Sequence, residues 1–223
     1  WASPAPGDAG ACRLWHHGAP MSATVEFFYD FSCPFAYLGA TRIEEVCAAA
    51  GANLVWRPFH LGGLFRDLYG AETARPPTPI APKASHAALD LRRWADHFGV
   101  PLAYPPGHPF RTADCLRSVL VATEAAAALT HRIYRAYWVE HRDVGDRAVL
   151  RTLLTDVGAD ADHVLDRVSS EEIRQRLRDN TDEARERGVF GAPTCFIDGD
   201  FMVWGQDRLH FVEAAAKGWR PTD

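Results

Sequence analysis

Between residues 25 and 50 the apolar pattern changes period across four residues, and this junction constrains the fold more than any other stretch. Val25-Glu26-Phe27-Phe28-Tyr29 is rich in aromatic and β-branched side chains and reads as a strand. Phe35, Leu38, Ile43, Val46 and Cys47 then recur at helical spacing until Gly51 supplies a stop. Only residues 30–33 connect the two, and Pro34 suits a first helical turn because its missing N–H has no partner there to lose. A second apolar run, Leu54-Val55-Trp56, ends at Pro58. Residues 23–58 therefore read as a β-α-β unit, with parallel strands and a right-handed crossover.

The junction puts Cys33 at the N-cap of the helix. A thiol there feels unpaired backbone N–H groups and the positive end of the helix dipole, which can lower a cysteine pKa to roughly 3.5–7.5. On this reading Cys33 is a thiolate near neutral pH. The same position also suits a small buried residue that closes a strand-to-helix turn.

Residues 59–82 contain Gly62-Gly63, a short helical turn at 64–69, and prolines at 76, 77, 79 and 82, so a functional or mobile loop is expected. From residue 85 the pattern is helical for about a hundred residues. One helix carries Leu89, Trp94 and Phe98 and stops at Gly99 and Pro101; further helices are expected at 113–129, 130–141, 148–157, 161–168 and 170–187. In this block Tyr134, Tyr137 and Trp138 read as packing residues. Strand character returns at 194–197 and 201–204 around Asp198-Gly199-Asp200, a hairpin signal, and a helix is expected at 207–217. The order implies an α/β thioredoxin-like fold with a large α-helical insertion domain. Residues 21–62 and 188–223 would form the thioredoxin-like domain, 63–187 the helical insertion domain, and 1–20, rich in Ala, Gly and Pro, a disordered leader.

Composition narrows the function. The 223 residues are 47% hydrophobic and carry a net charge of -5 without a basic cluster, which argues against nucleic acid or a membrane and for a small-molecule substrate. The five cysteines, Cys12, Cys33, Cys47, Cys115 and Cys195, include no C-x-x-C pair, so neither a disulfide framework nor a zinc site is expected and a cytoplasmic location fits. No histidine spacing suggests metal ligation, so no metal is expected.

Two later stretches bear on Cys33. Gly191-Ala192-Pro193-Thr194 precedes the third strand, where the thioredoxin fold has a cis-proline facing the nucleophile loop, and the Ala192 main chain can pair with an extended thiol peptide. Gly205-Gln206-Asp207-Arg208 opens the last helix, whose N–H groups suit a carboxylate while Asp207 suits an ammonium group. Cys195 reads as inert packing, and Ala36 fills the position of a resolving cysteine. His60 lies in the loop after the second strand and is the histidine expected to face the site.

With these motifs, and with Arg57-Pro58, Pro82-Lys83, Asp90-Leu91, Gly188-Val189-Phe190-Gly191-Ala192-Pro193-Thr194 and Trp204-Gly205-Gln206-Asp207-Arg208-Leu209, the chain from Met21 onward resembles the 2-hydroxychromene-2-carboxylate isomerase family. That family is similar to kappa-class glutathione transferases and more distantly to DsbA-type oxidoreductases. The resemblance implies an isomerase using glutathione or another low-molecular-weight thiol, with dimers common. It sets Cys33 where the family has a serine facing the thiol sulfur; Ala192, Pro193, Gln206, Asp207 and Arg208 at glutathione-binding positions; and Lys83 at the rim. Ser32 is a second candidate hydroxyl donor. The family's asparagine after Arg57-Pro58 is not at its ungapped position, Gly70. Expected chemistry is thiolate addition to an unsaturated carbonyl compound, bond rotation and elimination. The alternatives are a single-cysteine thiol-disulfide oxidoreductase, transferase or peroxidase with Cys33 as nucleophile, and a noncatalytic ligand-binding module.

Overall fold

The computed structural model describes residues 22–70 and 80–222; the leader expected at 1–20 and prolines 76, 77 and 79 lie outside the described residues. Strand β1 (Thr24–Tyr29) leads through residues 30–33 into helix α1 (Pro34–Ala50), and β2 (Asn53–Pro58) returns beside β1 in parallel. Gly51 closes α1 in the left-handed region (φ 63), donating back to Ala48, as the stop signal at that position requires. Strands β3 (Thr194–Ile197) and β4 (Phe201–Trp204) form an antiparallel hairpin, and β3 pairs antiparallel with β1. The sheet order is β2-β1-β3-β4, so the first strand lies inside the sheet, next to a strand about 170 residues later in the chain. This is the thioredoxin-like α/β fold expected from the sequence.

Seven helices lie between β2 and β3 among the described residues: α2 (Leu61–Tyr69), α3 (Ala81–Phe98), α4 (Ala113–Val121), α5 (Ala126–Trp138), α6 (Arg147–Asp156), α7 (Ala161–Arg167) and α8 (Glu171–Glu186). The last helix, α9 (Leu209–Ala216), follows a 3-10 turn at Gln206–Arg208. Ser170 caps α8 through its hydroxyl, and Asp146 and Asp160 cap α6 and α7 in the same way, as their positions ahead of apolar-periodic runs dictate.

Several boundaries differ from the sequence reading: α2 starts at Leu61 rather than at 64, and α5 runs over Ala126–Trp138 rather than 130–141. Helix α3 starts at Ala81 rather than at 85, because Pro82 sits in its first turn, where a proline is tolerated. Instead of one helix over 113–129, the chain breaks at Ala122 (φ -83, ψ 56) and passes through a 3-10 turn before α5. The alanine-rich run carries no stop signal. The break lets α4 pack on α8 and β2 while α5 packs on α1 and α6, which one straight helix could not do. The last helix begins at Leu209, not at 207, because Gln206–Arg208 is a 3-10 turn.

Alternation along β1 sorts the two sheet faces. Phe27 and Tyr29 face α1 and α5, where Tyr29 shares a 2.8 Å hydrogen bond with Thr130. Glu26 and Phe28 face α8, where Arg187 bonds Glu26 at 2.7 Å and Glu183 at 2.8 Å and lies 3.7 Å over the Phe196 ring. Arg57 on β2 pairs with Glu183 as well, so one half-buried cluster of two acids and two arginines fixes α8 to the sheet. Such networks hold more than isolated surface pairs because their charges are partly desolvated and already fixed in position.

Close approach of α1 to the turn before β3 depends on Gly39. A Cβ there would lie 3.1 Å from the Pro193 ring and 3.3 Å from Phe27. Gly39→Val should therefore destabilise the fold by about 1–3 kcal/mol through overpacking, read as a lower denaturant midpoint with unchanged slope; an unchanged midpoint would contradict this packing.

Candidate functional site

The β1–α1 loop is built around one buried side chain, Asp30, which is 1% exposed. Its Oδ1 accepts from the Ser32 N–H and hydroxyl, both at 2.9 Å, and from the Thr112 hydroxyl at 3.0 Å; its Oδ2 accepts from the Leu61 N–H at 2.9 Å. The main chain is held equally firmly. Tyr134 donates to the Asp30 carbonyl at 3.2 Å, Cys33 N–H donates to the same carbonyl at 3.1 Å, and Trp138 Nε1 donates to the Phe31 carbonyl at 3.0 Å. Tyr134, Tyr137 and Trp138 are buried, in line with their reading as packing residues. Ser32 spends its one hydroxyl proton on Asp30.

Cys33 occupies the N-cap of α1 with extended backbone (φ -97, ψ 115), followed by Pro34 in the first turn, as expected. Its protonation is not as expected. The residue is buried, 8% exposed, and desolvation pushes the thiol up from 9.0 to about 12. The Ala36 and Phe35 N–H groups pull the other way, and the nearby Asp30 carboxyl adds a smaller upward push. Burial wins, so Cys33 is a neutral thiol at pH 7, and its S–H donates to the Ala192 carbonyl at 3.1 Å. Burial likewise pushes Cys195 well up, in keeping with inert packing.

That carbonyl belongs to a cis peptide bond, Ala192-Pro193, as the fold led one to expect. Ala192 forms one wall of a cleft of about 160 Å³, with Phe35 from α1, Asp90 from α3 and Trp204 from the end of β4. Gln206, Asp207 and Arg208 complete it. Five of the candidates, Cys33, Ala192, Gln206, Asp207 and Arg208, thus meet at the cleft or directly behind its wall, and Pro193 fixes the turn. Arg208 donates to the Trp204 carbonyl at 2.8 Å and pairs with Asp207 at 3.2 Å, so acid and base present themselves side by side. The tight turn that delivers them needs Gly205: its φ is 103, and any Cβ would collide with the Asp207 and Arg208 side chains.

Two candidates are not brought there. Lys83 is exposed in the first turn of α3 and does not line the cleft. His60 caps α2 and lines a different cavity, against α4 and α8, because its N–H is tied to Thr181 Oγ1 at 3.0 Å. Sequence reasoning assigned no role to Asp30, Asp90 or Tyr104. The last is 54% exposed, and its hydroxyl is held up first by burial and then by Cys33, which puts the phenol within electrostatic reach of the sulfur. An acid embedded in an apolar strand-loop run was the available signal for Asp30; for Asp90 and Tyr104 no local pattern marks the role.

Comparison with known proteins agrees with this fold. A family model described as a DSBA-like thioredoxin domain matches residues 24–217. A 2-hydroxychromene-2-carboxylate isomerase of Sphingobium xenophagum is 31% identical over 196 residues, covering 87% of this chain and 98% of that protein. The chain belongs to the 2-hydroxychromene-2-carboxylate isomerase family. A solved structure of an isomerase of this name superposes with a TM-score of 0.74 at 28% identity, covering 86% of this chain and 93% of the other. Glutathione S-transferase kappa 2 of Caenorhabditis elegans is 29% identical, covering 85% and 90%. Within this isomerase family, a thiol at position 33 is held as a neutral donor in the present chain. No helix among the described residues is long and apolar enough to cross a membrane.

The protonation state has a direct readout. Alkylation of Cys33, followed by peptide mass spectrometry from about pH 6 to about pH 10, should rise across the whole range without a plateau, because the thiol titrates near 12. A plateau reached below about pH 8 would mean that the helix N-terminus outweighs burial.

Proposed function

We propose that this enzyme is a thiol-dependent isomerase acting on an unsaturated carbonyl compound, with glutathione or a similar low-molecular-weight thiol as cosubstrate in the cleft beside Ala192. The observation that carries the reading is the neutral Cys33 S–H, which points at the wall of a cleft that also presents a carboxylate and a guanidinium. A bound thiol supplies a nucleophile that adds reversibly to a conjugated double bond and leaves after rotation about the resulting single bond.

The chain's own groups would do the rest. Arg208 and the amides of the 3-10 turn suit the carboxylate of an amino-acid end, while Asp207 and Asp90 suit its ammonium group. The Ala192 main chain suits the peptide portion. Cys33, neutral and with its sulfur fixed, can turn its S–H from the Ala192 carbonyl toward a thiolate sulfur, the role a serine hydroxyl fills in the family; a hydrogen bond to the charged form favours that form. Tyr104, exposed and within electrostatic reach of the Cys33 sulfur, suits contact with the carbonyl compound. A sulfur held at about 12 is a poor nucleophile at neutral pH, which weighs against the oxidoreductase alternative.

Isomerisation of 2-hydroxychromene-2-carboxylate followed with added glutathione tests the reading. Cys33→Ser should keep turnover within about tenfold, whereas Cys33→Ala should lower kcat more than KM, because it removes a donor used on the reacting sulfur. Asp207→Ala should instead raise the KM for glutathione by about 10- to 100-fold, the worth of a charge-assisted hydrogen bond of about 1.5–3 kcal/mol. Turnover that ignores both added thiol and Cys33→Ala would sink the proposal.

A further inference from the structure

We propose that the cavity between α2, α4 and α8 binds a compact multivalent oxyanion, at a site separate from the Cys33 cleft. It encloses about 230 Å³ and is lined by His60 and Arg66 from α2 and its cap, Arg117 from α4, and Arg174 and Arg178 from α8. That volume lies below the roughly 300–1,000 Å³ of sites for drug-sized ligands, which suits a phosphate ester or a small polycarboxylate.

The charge is unusual for this chain, whose net charge is -5. Four arginines from three helices converge on the cavity with two aspartates, and both aspartates are engaged elsewhere: Asp67 and Asp182 each pair with Arg185 at 3.3 Å. Arg178 is held by Glu171 and Gln175, and Arg117 by Asp114 at 2.9 Å. Arg66 and Arg174 have no carboxylate partner among the described residues. Arg117 is 22% exposed, and its Nε is buried with no hydrogen-bond partner among them. Two unneutralised guanidinium groups beside two further arginines on the same cavity make a set of planar forks suited to the oxygens of a phosphate or carboxylate. The site also touches the frame of the Cys33 loop. His60 and Ala113, which line it, are the chain neighbours of Leu61 and Thr112, both donors to Asp30.

Titration calorimetry on the full chain at constant ionic strength, with inorganic pyrophosphate in one arm and citrate in the other, tests this. Saturable one-site binding is expected, weakened at least tenfold in Arg66→Gln/Arg174→Gln and unaltered in Arg92→Gln, an exposed arginine on α3. Both altered arginines are exposed and without carboxylate partners among the described residues, so the double variant should keep its melting temperature, which is measured alongside. Tighter binding of pyrophosphate marks a phosphoryl ligand, and tighter binding of citrate a polycarboxylate. Absence of saturable heat in both arms, or equal affinity of the double variant and wild type, overturns the proposal. Binding here is read without thiol or carbonyl substrate, so the outcome stands apart from the isomerase reading.

Discussion

A single buried carboxyl group organises the site. Asp30 receives hydrogen bonds from residue 32 in its own loop, from residue 61 at the start of α2 and from residue 112 at the start of α4, while its carbonyl receives one from Tyr134 on α5. An acid at 1% exposure is costly unless its oxygens are satisfied, and here each of them is. The consequence is mechanical: three distant segments of the helical block are pinned to the loop that carries Cys33. Helices α2, α4 and α5 thus share one anchor in the loop.

At Cys33 two effects of opposite sign meet, and their sizes decide the chemistry. A helix N-terminus offers at most about 2 kcal/mol to a negative charge. Desolvation acts in the opposite direction, and the net rise of the thiol from 9.0 to about 12 corresponds to roughly 4 kcal/mol against the thiolate at 1.36 kcal/mol per unit. The position in the sequence is that of an activated cysteine, and the surroundings are those of a hydroxyl-like donor. A neutral S–H donates, though more weakly than a hydroxyl, so on the proposed reading the sulfur acts here as a donor rather than as a nucleophile.

How much could be read in advance varied with the range of the interaction. The β-α-β unit, the hairpin around Asp198-Gly199 and the caps Ser170 and Gly51 rest on contacts a few residues long, and they stand where their residues place them. The break at Ala122 was not legible, because alanine propagates a helix equally well on either side and only the need for α4 and α5 to reach different neighbours decides it. Among the site residues, Cys33, Ala192, Gln206, Asp207 and Arg208 were marked by their motifs. Lys83 and His60 were not separable from the site by sequence, since their distance from it depends on how α2 and α3 lie on the sheet.

The sequence by itself determined the order of elements and the N-cap position of Cys33, because strand and helix periods, proline and glycine act locally; the cis bond at Pro193 was expected from the fold and not from its dipeptide. The tertiary structure alone decided that Cys33 is protonated, that Ser32 is committed to Asp30, that Asp90 joins Asp207 in one cleft, and that four arginines gather in another. Each of these depends on burial or on convergence of segments far apart in the chain, and neither quantity is written in any single stretch of residues.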